Sequence, residues 1–115
     1  MFGFGTKRHA TSNFRRGCAA LDERDHDLAT CWFAEAIRMD ASFAPGHLGL
    51  GLARMRKGEF PEAIRPLSEA IRLSDDARAW FLRGLCHQAA GNADRGAADR
   101  SAAFARNPYV EESLA

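Results

Sequence analysis

The sequence lacks the features that mark several large classes of protein. Its 16 Lys and Arg residues are nearly balanced by 15 Asp and Glu residues, so it does not have the basic excess of a nucleic-acid-binding protein. No apolar run approaches the roughly 18 residues of a membrane span, and the first residues do not form the apolar stretch of a secretory signal. β-Branched residues are scarce and alanine is frequent, which favours helices over sheets. We therefore expect one all-α domain that is soluble and cytoplasmic.

Cysteine and histidine are also few, and their placement argues against a disulfide framework, a metal site or a catalytic site. Cys18, Cys31 and Cys86 are odd in number, lie far apart and form no C-x-x-C pair, unlike the disulfide framework of a secreted protein. We interpret them as small core residues. The 4 His residues form no pair with Cys, Asp or Glu at the spacing of metal ligands. We predict no metal, no cofactor and no enzyme activity.

What the sequence does contain is an internal repeat. Three series of residues recur with steps of 34 and 33 positions. The series are Gly17, Gly51 and Gly84; Arg24, Gly58 and Gly91; and Ala36, Ala70 and Ala103. Periods of roughly 20–50 residues are typical of stacked supersecondary units.

Each unit of the repeat predicts two helices. Apolar residues recur at i, i+3, i+4 and i+7, and a glycine follows the first helix in two of the units. The predicted helices cover residues 14–21, 28–39, 48–55, 60–71, 79–89 and 93–106. Pro66 removes an interior hydrogen bond, so we expect it to bend its helix or delay its start. The charged run at 22–27 is expected to be a turn, with Asp25 or His26 capping the helix after it.

The arginines of the second helices alternate with acidic residues, which is typical of a solvated face and not of a nucleic-acid footprint. These acidic residues are Glu35, Glu62, Glu69 and Asp99. The last helix, from Asn92 to Arg106, is rich in Ala, Asp and Arg. We predict that it is the polar terminal helix that keeps a stacked array soluble.

These residues resemble the tetratricopeptide repeat, a helical repeat of about 34 residues. The middle unit matches through Leu50-Gly51, Ala63 and Leu67, and the third through Trp80 and Pro108. The resemblance covers about residues 10–110 and implies a right-handed α-solenoid of three antiparallel helix-turn-helix repeats. The implied parts are a flexible extension at 1–9, repeats at 10–43, 44–76 and 77–110, and a stub at 111–115.

The resemblance also implies a function, because in this family the first helix of each repeat lines a concave groove. The implied groove residues are Phe14, Cys18, Leu21, Leu48, Leu52, Met55, Phe81, Leu85 and Gln88, with Arg56 and Arg78 at the rim. The groove is then expected to bind an apolar or amphipathic segment of another protein. We expect no nucleic-acid partner and no membrane span. Some family members clamp a chaperone's terminal carboxylate with Lys and Asn, but here Phe14, Cys18 and Gly49 occupy those positions, which argues against that clamp.

The alternative is a self-associating structural protein whose groove is filled by its own chain or by a second subunit. Residues 1–9 fit no repeat, yet they carry Phe2 and Phe4 between glycines. We hypothesise that these two rings enter the groove of the same chain or of a neighbour.

Overall fold

The described residues form six α-helices and one short 3-10 helix. The computed structural model describes the backbone of residues 2–114 and the side chains of residues 7–114. The α-helices are α1 (Phe2–Asp22), α2 (His26–Met39), α3 (Ala44–Arg56), α4 (Phe60–Ser74), α5 (Ala77–Ala89) and α6 (Ala93–Arg106), and the 3-10 helix is η1 (Glu112–Leu114). The described helices include none with the length and apolar character needed to cross a membrane.

The helices form three antiparallel pairs stacked in sequence. α1 packs on α2, α3 on α4 and α5 on α6, while α2 with α3 and α4 with α5 join successive pairs. α1, α3 and α5 are also neighbours, so the first helices of the pairs form one layer. The result is an elongated body of 44 × 27 × 23 Å.

The three turns inside the pairs share one geometry. After α1, α3 and α5 the chain passes through Arg24, Gly58 and Gly91, whose φ angles are 62°, 79° and 91°. In each turn the next amide donates to a carbonyl five residues earlier, as in a Schellman motif. Arg24 therefore takes the left-handed conformation that glycine adopts more readily. In the first pair Asp25 then caps α2 by accepting from the Leu28 amide at 3.1 Å, which confirms the capping prediction.

The first two pairs pack around the ring of Phe33. This ring is completely buried, and it contacts Gly17 of α1 on one side and Gly49 of α3 on the other. A Cβ atom at Gly17 would lie 2.6 Å from ring atom Cε1, and one at Gly49 would lie 2.5 Å from it. Because cores are packed to crystal density, both glycines are needed for α1 and α3 to reach the ring this closely.

The first helix is longer than the predicted 14–21. α1 begins at Phe2, so the stretch expected to be a flexible extension continues the helix in the structure. Ala10 and Asn13, further along this helix, are buried, whereas its two early glycines have low helix propensity. The side chains of Phe2 and Phe4 lie outside the described residues. The hypothesis that their rings enter the groove therefore stays a prediction.

Pro66 does not delay its helix. α4 begins at Phe60 and contains Pro66 in its interior. A proline at this position leaves the carbonyl of Glu62 without its helical donor. The Arg54 guanidinium of α3 donates to that carbonyl at 3.0 Å. A neighbouring helix therefore supplies the bond that the proline removes.

The last pair is held by a buried ion pair. Arg83 of α5 donates to both carboxylate oxygens of Asp99 of α6, at 2.7 and 2.9 Å. Asp99 is therefore buried, and its prediction as a residue of a solvated face is wrong. The two helices approach closely enough for this contact because Gly84 faces Gly96, where an added Cβ would lie 2.9 Å or less from backbone oxygen.

Trp80 fastens the beginning of α5 to the end of α6. The guanidinium carbons of Arg83 and Arg106 lie 4.9 and 4.5 Å from its ring centre. The indole nitrogen donates to Asp75 at 2.8 Å, and Arg106 donates to the same carboxylate at 2.9 Å. These two hydrogen bonds, from Trp80 first and then from Arg106, lower the pKa of Asp75.

Candidate protein-binding groove

The predicted groove residues lie on α1, α3 and α5, the helices of one layer. Seven of them are half-buried. These seven are Phe14, Cys18, Leu21, Leu48, Leu52, Met55 and Leu85. Phe81 is buried, with 8% of its surface exposed, and Gln88 is exposed. Arg56 and Arg78 are exposed, as expected of rim residues.

The predicted groove residues of the first repeat pack against the core. They line none of the cavities described below. The ring of Phe14 lies 5.7 Å from the rings of both Phe33 and Phe43. Cys18 and Leu21 pack against the same buried cluster. Burial, followed by the charge of Asp22, raises the pKa of the Cys18 thiol. Cys18 therefore stays protonated at neutral pH and contributes an apolar surface to this part of the layer.

The second and third repeats border an open cavity of about 370 Å3. Four predicted residues line it, namely Leu52, Arg56, Phe81 and Leu85. Its walls are mainly apolar and carry one cation, Arg56, and one anion, Glu111. Apolar walls with a few polar groups are the usual composition of a binding site. We call this space the groove cavity.

A smaller cavity of about 170 Å3 contains two further predicted residues, Leu48 and Arg78. Arg78 is already paired there, because its guanidinium donates to the Asp76 carboxylate at 2.6 Å. This hydrogen bond lowers the pKa of Asp76. Asp76 also caps α5 through the Arg78 amide, so the pair is fixed to the helix start. Of the two rim arginines, Arg78 is therefore in an ion pair with Asp76. By contrast, Arg56 forms no ion pair among residues 7–114.

Gln88 lies apart from the other groove residues. Its side-chain oxygen accepts from Arg100 of α6 at 2.5 Å, and it lines neither of these two cavities. Phe81 is less accessible than expected, since its ring packs edge-to-face on Phe104 at 5.9 Å. It also lies in a buried cluster with Val110. The helical spacing placed both residues on α5 correctly, but it contained no information about what α6 and the residues after it would cover.

A part of the site that the sequence did not predict is the segment of residues 110–114. For these residues the sequence predicts only a stub at 111–115. In the structure, Glu111 and Leu114 line the groove cavity together with Leu52, Arg56 and Leu85. The segment has the sequence Val-Glu-Glu-Ser-Leu, and nothing in this local pattern indicates that it returns to α5.

A third cavity, of about 520 Å3, lies between α2, α3 and α4 and was also missed. Its walls include His47, Arg54, Arg65 and Glu69. His47 stands where Trp80 stands in the third repeat, and its Nε2 atom lies 2.9 Å from the Ala41 carbonyl.

No family model matches the chain. The DnaJ homolog subfamily C member 7 of Mus musculus is 31% identical over 88 residues, and the match covers 76% of this chain and 18% of that protein. The chain thus spans about a fifth of that curated relative.

Solved structures give fuller coverage. The Arabidopsis OM64 TPR domain has a TM-score of 0.87 at 19% identity, over 95% of this chain and 96% of that one. The second TPR of Spaghetti (RPAP3), bound to the HSP90 peptide SRMEEVD, has a TM-score of 0.86 at 20% identity, over 90% and 97%. The Yersinia enterocolitica chaperone SycD, in complex with a peptide of the translocator YopD, has a TM-score of 0.82 at 17% identity, over 90% and 83%.

This chain has the tetratricopeptide-repeat fold. The six helices correspond to three repeats, so the predicted all-α solenoid is confirmed. The first helices of the three repeats, α1, α3 and α5, form one layer. The groove cavity lies where α3 and α5 of this layer meet the residues after α6.

Proposed function

We propose that this chain is a protein-interaction module that binds an apolar or amphipathic segment of a partner protein in its concave groove. The observation that carries the proposal is the groove cavity, which places Leu52, Phe81 and Leu85 beside the free guanidinium of Arg56. Similar folds bind peptides, namely an HSP90 peptide in the Spaghetti domain and a translocator peptide in SycD. Fold alone does not determine a ligand, so the lining of this groove decides the class of partner.

The groove favours side-chain burial over carboxylate clamping. Its first-repeat part is lined by Phe14, Cys18 and Leu21, which offer no charged donor. Arg78 is engaged with Asp76 and leaves Arg56 as the available cation of the two. A terminal carboxylate needs several converging charge-assisted donors, whereas one arginine beside an apolar cavity suits an aliphatic or aromatic side chain with a nearby acidic group.

A matched pair of variants tests the proposal. Peptides are selected from a random phage-displayed library on the wild-type chain, and their Kd values are then measured by fluorescence polarisation for Leu52→Glu and Leu28→Glu. Leu28 is 44% exposed on α2, outside the groove, so it receives the same chemical change without touching the cavity. Burial of one apolar anchor is worth about 1.5–3 kcal/mol, so Leu52→Glu is expected to weaken binding about tenfold or more.

The result that contradicts the proposal is an equal Kd for Leu52→Glu and wild type, or an equal loss in Leu28→Glu. Light scattering on the same three proteins measures their oligomeric state and so tests self-association. A dimer in the wild type that Leu52→Glu alone converts to a monomer would mean that a second copy fills the groove.

A further inference from the structure

After α6 the chain turns back onto the layer that lines the groove. Val110 is completely buried in a cluster with Phe81 and Ala103. Leu114 is half-buried and packs against this cluster and against the neighbouring one that contains Leu82. Tyr109, just before the segment, is 71% exposed. The segment of residues 110–114 is therefore anchored by its two apolar residues.

The same segment also supplies an acidic group to the groove cavity. Glu111 and Leu114 form one part of its lining, and Leu52 and Arg56 form another. Among residues 7–114 neither Glu111 nor Arg56 is in an ion pair. Two opposite charges therefore line one cavity, and neither is paired with another residue of this range. An aliphatic side chain three residues after a carboxylate is thus already seated where a partner segment would bind.

We propose that residues 110–114 are a built-in occupant of the third-repeat end of the groove, displaced by a partner segment of the same chemistry. That partner carries an aliphatic anchor close to an acidic residue, since this combination matches Leu85 and Arg56. The inference rests on the proposed function for the partner, but the seating of the segment is a property of this chain alone. A competing tethered segment acts at an effective concentration in the millimolar range, so it lowers the affinity of any ligand for this end of the groove.

The seating is tested without a partner, by comparing 1H–15N NMR spectra of Leu114→Asn and Tyr109→Asn. Leu114→Asn removes the anchor, and Tyr109→Asn changes an exposed neighbour in the same way. The amide signals of Leu52, Arg56 and Leu85 are expected to move in Leu114→Asn and to stay in Tyr109→Asn. A synthetic peptide of residues 107–114, added at several millimolar to match the tethered concentration, is expected to move these signals back.

Unmoved signals in Leu114→Asn would overturn the proposal, and so would a peptide that leaves them where the variant put them. Leu114→Asp is a second variant of the anchor, and Tyr109→Asp is its control. Since Leu114 is the partly exposed end of the segment and Val110 is retained, dispersed spectra are expected from all four proteins.

Displacement is tested with the library peptides. They are expected to bind Leu114→Asn about three- to tenfold more tightly than Tyr109→Asn, because half of a leucine's burial no longer competes with them. Equal Kd values, with Leu52→Glu still weakening binding, would overturn displacement and leave the proposed function standing. A library that yields no binder, with the NMR shifts as expected, would contradict the proposed function and retain the built-in occupant.

Discussion

The contact of Phe33 with two glycines makes a quantitative prediction about Gly49→Ala. The new Cβ would lie 2.5, 2.7 and 2.8 Å from the Cε1, Cδ1 and Cζ atoms of the Phe33 ring. The ring has no room to move away, because Gly17 touches its Cε1 atom from α1. Overpacking of this kind costs about 1–3 kcal/mol. Replacing glycine by alanine inside a helix gains about 1 kcal/mol, so we expect a net loss of roughly 0–2 kcal/mol in the free energy of unfolding.

A double-mutant cycle with Phe33→Leu separates these two effects. Leucine lacks the Cε1 and Cζ atoms, and its remaining Cδ1 atom is on a flexible side chain that can turn away, so in the Phe33→Leu background Gly49→Ala should stabilise the protein by up to about 1 kcal/mol. The coupling free energy between the two positions is then expected to be about 1–3 kcal/mol. Urea unfolding followed by circular dichroism measures all four proteins of the cycle.

Gly51→Ala is the matched control for this cycle. Gly51 lies on the same helix, but an added Cβ there would meet Leu67 at 2.5 Å and not Phe33. We therefore expect no coupling between Gly51→Ala and Phe33→Leu beyond about 0.5 kcal/mol. The reasoning is refuted if Gly49→Ala has the same effect in both backgrounds, or if both glycines couple equally to Phe33.

Two further predictions concern the buried ion pair and the thiols. Asp99→Asn leaves the largely buried Arg83 without its anion and is expected to cost about 3 kcal/mol in urea unfolding, whereas Glu35→Gln, in an exposed pair, is expected to change the stability far less; equal effects would contradict this. In the native protein Cys31, which is exposed, should react with a thiol reagent first, and Cys86 only on unfolding, since it is buried and burial raises its pKa to about 11; mass-mapped labelling that finds Cys86 modified natively would refute it.

The repeat could be predicted from the sequence because the recurring positions are small residues at close helix contacts and in tight turns. Gly17 and Gly51 recur where a first helix meets Phe33 and Leu67 of a second helix, and Gly58 recurs where a turn needs a positive φ. These requirements act on single positions, so the 34-residue period shows them directly. Boundaries were harder, since α1 begins at Phe2 although two glycines near its beginning have low helix propensity.

The candidate groove could be predicted only in part, for the same reason. Helical spacing placed Leu52 and Leu85 on the inner layer, and the structure unites them in one cavity. It could not indicate that Gln88 would bond to α6. Nor could it show that Leu114 would return to the groove, because both contacts join segments that no periodic pattern relates.

The surroundings of Arg83 have a consequence for the choice between the two basic amino acids. Lys7 and Lys57 are the only lysines among the 16 Lys and Arg residues. Arg83 lies over the Trp80 ring and forms two parallel hydrogen bonds to Asp99, which requires a flat, forked group. An ammonium group is round and cannot do both at once. The excess of arginine thus reflects planarity as well as charge, and Arg83→Lys would be a change of shape that leaves the net charge untouched.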